Sequence, residues 1–190
     1  MFGKRREEPE PGPPGQQQQA AALIDPETGL PNHRQLIEIL RREIARSLRY
    51  GDRSALVVFD VRIVGFEPSP DCPYPPSPAR FVAAALLGAA RDADVVARID
   101  MTHFAVFLTE SDYSGAQTFS SRARTALSTS PYARTEDMRG LYVRAWAGCG
   151  SWDPTFRDPA AYIRAAFEDL ETSVVRQEPS QAWLGGRAAN

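Results

Sequence analysis

Three Arg-x-x-Asp pairs stand in this sequence: Arg49/Asp52, Arg91/Asp94 and Arg134/Asp137. Such a pair has definite chemistry to offer. A guanidinium can donate two hydrogen bonds to the O6 and N7 of a guanine, or pair with a phosphate. A carboxylate held beside it can accept from the guanine N1–H and N2–H. The pattern alone is unselective, because Lys4 is the only lysine and every other basic residue is Arg. A helix-end Arg beside a turn Asp otherwise makes only a solvated pair worth about 0.3–0.5 kcal/mol.

Arg91-Asp92-Ala93-Asp94 differs from the other two in the residues just downstream of it. There "VVARI" and "FAVFL" flank Asp100-Met101-Thr102-His103. Two short apolar runs around four polar or flexible residues predict a hairpin, with strands at 95–99 and 104–108. The tip offers one carboxylate, one hydroxyl and one imidazole, which is no obvious catalytic set. His33 and His103 lack metal-ligand spacing and read as a first-turn helix residue and a solvated turn residue. Cys72 and Cys149 have no second pair to complete a metal site. No metal and no cofactor is expected.

The elements that must carry these residues are legible from periodicity. Leu36, Leu40, Ile44 and Leu48 recur every four residues, with Ile37 and Ile39 beside them. They predict an amphipathic helix capped by Asn32 and stopped at Gly51-Asp52. "SALVVFDV" is a buried strand. Six prolines between Pro68 and Pro78 exclude a helix and predict a stiff, extended loop. "ARFVAAALLGAAR" is a nearly all-apolar helix and should be buried. Asp112 caps a helix to about Ser128, with Ala116, Phe119, Ala123 and Leu127 inward and Arg122 and Arg124 off that stripe. "LYVRAWAGCGSW" is a strand. Asp158 and then Pro159 start a last helix whose apolar face is Tyr162, Ile163, Ala166, Phe167, Leu170 and Val174. This order predicts an α/β or α+β sandwich around a mixed sheet.

At this point the residues resemble a known family, the GGDEF or diguanylate cyclase domains. "DPETGLPNHRQL" is similar to that family's opening signature through Asp25, Thr28, Gly29, Leu30 and Asn32. "LVVFDV" resembles its first strand, which ends in a metal-binding Asp. "RDADVVARIDMTHFAVFL" resembles the stretch holding the signature turn, framed in register by Arg98 and Phe104. "VRAWAGCGS" resembles a later strand. The likeness covers roughly residues 22 to 177 and implies the nucleotidyl cyclase-like fold, an α/β, three-layer fold with a central mixed sheet flanked by helices.

The resemblance also implies an active site that joins two GTP molecules, and this sequence departs from it repeatedly. Asp60 matches the first-strand metal ligand. The two glycines of the turn are Asp100 and Met101, its acidic ligand is Thr102, and its Glu is His103. The guanine-pocket residues fall in the proline loop, and a Lys of the last helix is Ser173. A neutral hydroxyl is a poor ligand for Mg²⁺, and Asp100 would repel a triphosphate. The expectation is a vestigial site at Asp60, Asp100, Met101, Thr102 and His103, without catalysis.

The family's inhibitory site, by contrast, is matched in register. It is an R-x-x-D five residues before the turn, here Arg91 and Asp94, joined by an Arg from the next helix, here Arg122. In the family that site commonly takes cyclic di-GMP as a stacked pair. The resemblance implies cyclic di-GMP as a regulatory ligand, an unidentified protein partner and a ligand-favoured homodimer. A ligand-free scaffold, using the proline loop or the first helix, is the alternative. The net charge of -2 gives no general reason for nucleic-acid binding. No apolar run approaches the roughly 20 residues of a membrane span, so no membrane insertion is expected. Cysteine usage and the absence of a secretory h-region point to the cytoplasm. Residues 1–20, charged and then Pro- and Gln-rich, read as a disordered tail, 21–178 as the domain, and 179–190 as a flexible tail.

Overall fold

A computed structural model describes residues 23–135 and 138–177. The tails expected at 1–20 and 179–190 lie outside the described residues. Within the described residues nine elements run in chain order. They are α1 (His33–Tyr50), β1 (Ser54–Val64), α2 (Ala79–Ala89), β2 (Val95–Arg98) and β3 (His103–Thr109), then α3 (Tyr113–Thr129), β4 (Ala133–Arg134), β5 (Gly140–Ser151) and α4 (Pro159–Gln177).

The strands form one sheet in the order β2-β3-β1-β5-β4. Every pairing between these strands is antiparallel, which corrects the expected mixed sheet. The reason lies in the hairpin. The crossover through α2 brings β2 back running the same way as β1, but β3 inserts between them, so like-directed strands never touch. The one parallel contact among the described residues is an isolated bridge from Asn32 to Arg98.

β1 is the central strand and is covered on both faces, so it reads as a continuous apolar run rather than an alternation. Ala55, Val57, Phe59 and Val61 face α2 and α3, packing with Val82, Leu86, Phe119, Ala123 and Leu127. Leu56 and Val58 face α1 and α4, packing with Leu36, Leu40, Tyr162, Ala166 and Leu170. The three layers are therefore α2/α3, sheet, and α1/α4. The helix starts are set by the expected caps: Asn32 accepts from Gln35 N–H at 3.0 Å, Asp112 from Gly115 N–H at 2.9 Å and Asp158 from Ala161 N–H at 2.8 Å.

Two burial expectations need correction. In α1 the fourth buried position is Ser47, while Leu48 is 51% exposed. Each four-residue step overshoots a turn by about 40°, so three steps carry Leu48 about 120° off the stripe that Leu36 begins. In α2 only Ala79, Val82, Ala83 and Leu86 are buried, and Leu87 is 53% exposed. One helix packed against one layer buries one face, whatever its outer residues are.

β5 would be an exposed edge over most of its length, since β4 pairs only with Gly140 and Leu141. The two flanking helices close it. Arg124 donates to the Ala145 carbonyl at 3.0 Å, and the Cys149 N–H donates to Asp169 at 2.8 Å. Asp169 in turn accepts from the Tyr113 hydroxyl at 3.2 Å, joining α4 to α3. This satisfies edge groups that would otherwise template pairing with another chain. Among the described residues no helix is long and apolar enough to cross a membrane.

Candidate functional site

The turn between α2 and β2 is built around Asp94. Its carboxylate accepts from the Arg91 N–H at 2.9 Å and, through the other oxygen, from the Thr109 N–H at 3.2 Å. The first bond closes the turn after α2, and the second ties that turn to the end of β3. Arg122 reaches the same corner from α3. Its guanidinium donates to the Ala89 carbonyl at 2.7 Å and lies 5.7 Å from the Phe119 ring centroid. Arg91, Asp94 and Arg122 thus line one cavity of about 210 Å³, together with Thr109, Ser114, Thr118 and Phe119. The three residues expected from the sequence meet in space. The exposed Arg91 guanidinium has no partner among the described residues.

Among the described residues the other two Arg-x-x-Asp pairs show no comparable arrangement. Asp52 pairs with Arg46 at 2.8 Å, while Arg49 lies over the Tyr50 ring. Arg134 donates to the Met138 carbonyl at 3.3 Å, and Asp137 lies outside the described residues. Sequence reasoning missed the hydroxyl-bearing wall of the cavity. Its signal was present, since Ser114, Thr118 and Arg122 recur every four residues on α3.

The hairpin tip has a different organisation. Asp100 folds its carboxylate back onto its own turn, accepting from the N–H groups of Thr102 and His103, each at 2.8 Å. The His103 ring nitrogen Nδ1 lies 2.9 Å from the same carboxylate, and the ring sits 5.4 Å from that of Phe167. Burial disfavours the Asp100 charge, but these amide and imidazole contacts win and hold its pKa below the ordinary carboxylate range. Asp60, opposite His103 across β1 and β3, is paired with Arg62 at 3.0 Å. Mg²⁺ needs several hard oxygen ligands. Asp60 is already on an arginine, Asp100 has both oxygens engaged by two amides, the Thr102 hydroxyl and the His103 ring, and Thr102 brings no charge, so the set does not suit it.

β1 also runs on past Asp60. It continues to Val64, with Val61–Val64 paired to Ala145–Tyr142 of β5, and stops at Gly65, whose φ of +86° suits glycine. The resemblance implied a strand ending at the Asp. The signal for the longer strand was the β-branched "VRIV" directly after it. The proline loop then packs back on the domain: Tyr132 donates its hydroxyl to the Pro76 carbonyl at 3.0 Å, and Arg139 pairs with Glu67 at 3.4 Å.

The opening signature anchors this end of the hairpin. Asp25 accepts from the Thr28 N–H at 2.8 Å and pairs with Arg98 at 3.1 Å. Arg98 also pairs with Glu27 and donates from Nε to the Asp100 carbonyl at 3.0 Å. Burial raises the Asp25 pKa, but the Thr28 and Arg98 contacts outweigh it and leave the value lowered. Contacts with Ser77 and Arg98 lower that of Glu27. Lowered carboxylate pKa values contribute stability that is present above the unfolded-state values and is lost as pH falls through the folded ones. Below about pH 4 the urea midpoint should therefore drop steeply. Arg98→Met should shrink that drop, because the two carboxylates lose the cation that lowers them. Parallel acid profiles for the two proteins would refute this.

The diguanylate cyclase, GGDEF domain family model matches residues 80–176. The chain belongs to this family. Solved structures agree in fold. This GGDEF domain is 24% identical to the diguanylate cyclase SiaD from Pseudomonas aeruginosa, solved in complex with its activator SiaC. The TM-score is 0.70, covering 86% of this chain and 62% of that one. It is 20% identical to the GGDEF domain of DgcB from Caulobacter crescentus, solved in complex with c-di-GMP, at a TM-score of 0.70 over 83% and 92% of the two chains. It is 16% identical to the FimX GGDEF domain from Pseudomonas aeruginosa, at a TM-score of 0.67 over 82% and 96%. At these identities the likeness shows the fold. No curated protein matches the chain.

Proposed function

We propose that this GGDEF domain is catalytically inactive and acts as a cyclic di-GMP receptor, passing ligand occupancy to a protein partner. The observation that carries this reading is the contrast between two corners of one fold. Arg91, Asp94 and Arg122 face one cavity, whereas the tip at Asp100–His103 is closed on its own carboxylate. An Arg with no partner among the described residues, beside a positioned carboxylate, offers donors to guanine O6 and N7 or to phosphate, and acceptors to guanine N–H groups. A carboxylate has about four lone-pair sites, so Asp94 can serve its turn and still accept from a base. The DgcB complex with c-di-GMP and the SiaD complex with SiaC support the ligand and the kind of partnership.

Purified protein incubated with GTP and Mg²⁺ should yield no cyclic di-GMP by liquid chromatography, while calorimetric titration with cyclic di-GMP should show saturable binding. Protein-dependent turnover would overturn the claim of inactivity.

One observation favours a second reading, a ligand-free scaffold on the same fold. Asp94 is fully explained as the clasp of the α2–β2 turn, and Arg122 as a cap on the last carbonyl of α2. A titration without heat at tens of micromolar ligand would select it.

A further inference from the structure

The cavity of Arg91, Asp94 and Arg122 has a wall that no family pattern assigned to it. Ser114 and Thr118 lie one turn apart on α3, in line with Arg122, and both line the cavity. The Thr118 hydroxyl donates to the Ser114 carbonyl at 3.0 Å, so its proton is committed to the helix backbone. That leaves its oxygen with a lone pair to spare. The cavity's two guanidiniums can only donate. The acceptors that share the cavity with them are the Asp94 carboxylate and the hydroxyls of Thr109, Ser111, Ser114 and Thr118, and Thr118 Oγ is an uncharged one whose proton is already spent on the helix.

We propose that Thr118 is a specificity-determining residue of this cavity, accepting a hydrogen bond from the N–H edge of a guanine while Arg91 donates to its O6 and N7. The inference rests on the cyclic di-GMP reading of the site and adds a discriminator to it. Guanine shows donors at N1 and N2 on one edge and acceptors at O6 and N7 on the other. Adenine has neither the N1–H nor the 2-amino group and places a donor where guanine has O6. A site with arginine donors on one side and the Thr118 and Asp94 oxygens on another matches the first pattern and mismatches the second. Thr118 is exposed on a helix surface, so replacing its hydroxyl by a methyl keeps shape and leaves the core untouched.

The test is calorimetric titration of wild type, Thr118→Val and Thr118→Ser with cyclic di-GMP and with its adenine analogue, cyclic di-AMP. Wild type should prefer cyclic di-GMP. Thr118→Val should weaken cyclic di-GMP binding about tenfold, a single lost hydrogen bond, and leave cyclic di-AMP binding as it was. Thr118→Ser should restore the preference. Unchanged melting temperatures certify that all three are folded. If wild type binds cyclic di-GMP and Thr118→Val binds it equally well, this inference is wrong while the receptor reading stands. If wild type binds neither nucleotide, both fall together.

Discussion

Gly148→Ala should unfold this domain more readily than any other single-methyl change in β5. A Cβ at that position would stand 2.2 Å from the Ala166 carbonyl oxygen and 2.2 Å from the Leu170 nitrogen. Both are backbone atoms of α4, so no flexible side chain can swing aside. Either α4 lifts from the sheet or β5 bends. Lifting α4 opens the cluster of Leu56, Val58, Tyr162, Ala166 and Leu170, buried on that face. Overpacking against backbone costs on the order of 3 kcal/mol or more. In a domain of this size that lowers Tm by roughly 6–12 °C. Gly150 and Gly88 supply the scale. A Cβ on Gly150 meets the Ala166 nitrogen at 3.1 Å, a contact that a small shift relieves. At Gly88 nothing lies within 4 Å, and Ala is the better helix former by about 1 kcal/mol. Thermal denaturation should therefore rank Gly148→Ala lowest, Gly150→Ala between, and Gly88→Ala at or above wild type. A Gly148→Ala protein that melts with wild type would mean that α4 does not seat on the β5 glycines.

The same glycines show what sequence reasoning reaches. "AGCGS" reads as strand, but that two of its residues are the floor of a helix contact depends on which element crosses above, and pattern carries no such information. Local signals fared better. Asn32, Asp112 and Asp158 were legible as caps because capping needs only a side-chain oxygen and an N–H three residues on. The hairpin was legible because its turn and strands are contiguous. The sheet's direction was not, since a strand's residues look alike whichever way its neighbour runs. At the cavity, Arg91 and Asp94 sit close in sequence, while Arg122 joins them only because β3 and α3 fold back over α2. At Asp100 the sequence shows the charge but not where it points. The carboxylate turns inward onto two amides and an imidazole, a geometry that depends on the folded turn.

Arg91→Ala should cost this protein most of its affinity for cyclic di-GMP while leaving its fold intact. The two halves of that statement come from the same geometry. Arg91 is exposed, and its side chain has no partner among the described residues. Only its backbone is used, its N–H donating to the Asp94 carboxylate and its carbonyl accepting from the Asp94 N–H, each at 2.9 Å, and alanine keeps both. Melting temperature should therefore stay within a degree or two of wild type, as surface changes usually leave it. The guanidinium itself would make charge-assisted contacts to base or phosphate, worth on the order of 1.5–3 kcal/mol, or roughly tenfold to more than a hundredfold in Kd. Arg122→Ala is the less clean variant, because it also strips the cap from the Ala89 carbonyl and should lower stability along with affinity. Asp94→Ala is less clean still, since it unpairs the Arg91 and Thr109 amides. Arg134→Ala removes an arginine whose partner is the Met138 carbonyl on the β4–β5 hairpin, and should bind as wild type does. A single corner with one free guanidinium serves only part of a ligand with two guanines and two phosphates. Arg122 or residues of a second protomer must supply the rest, so ligand should favour dimers or pin two elements together, and any ligand-dependent dimer seen by sedimentation should be lost in Arg91→Ala. Equal affinity in wild type and Arg91→Ala would remove this cavity from the ligand's path and leave the scaffold reading in its place.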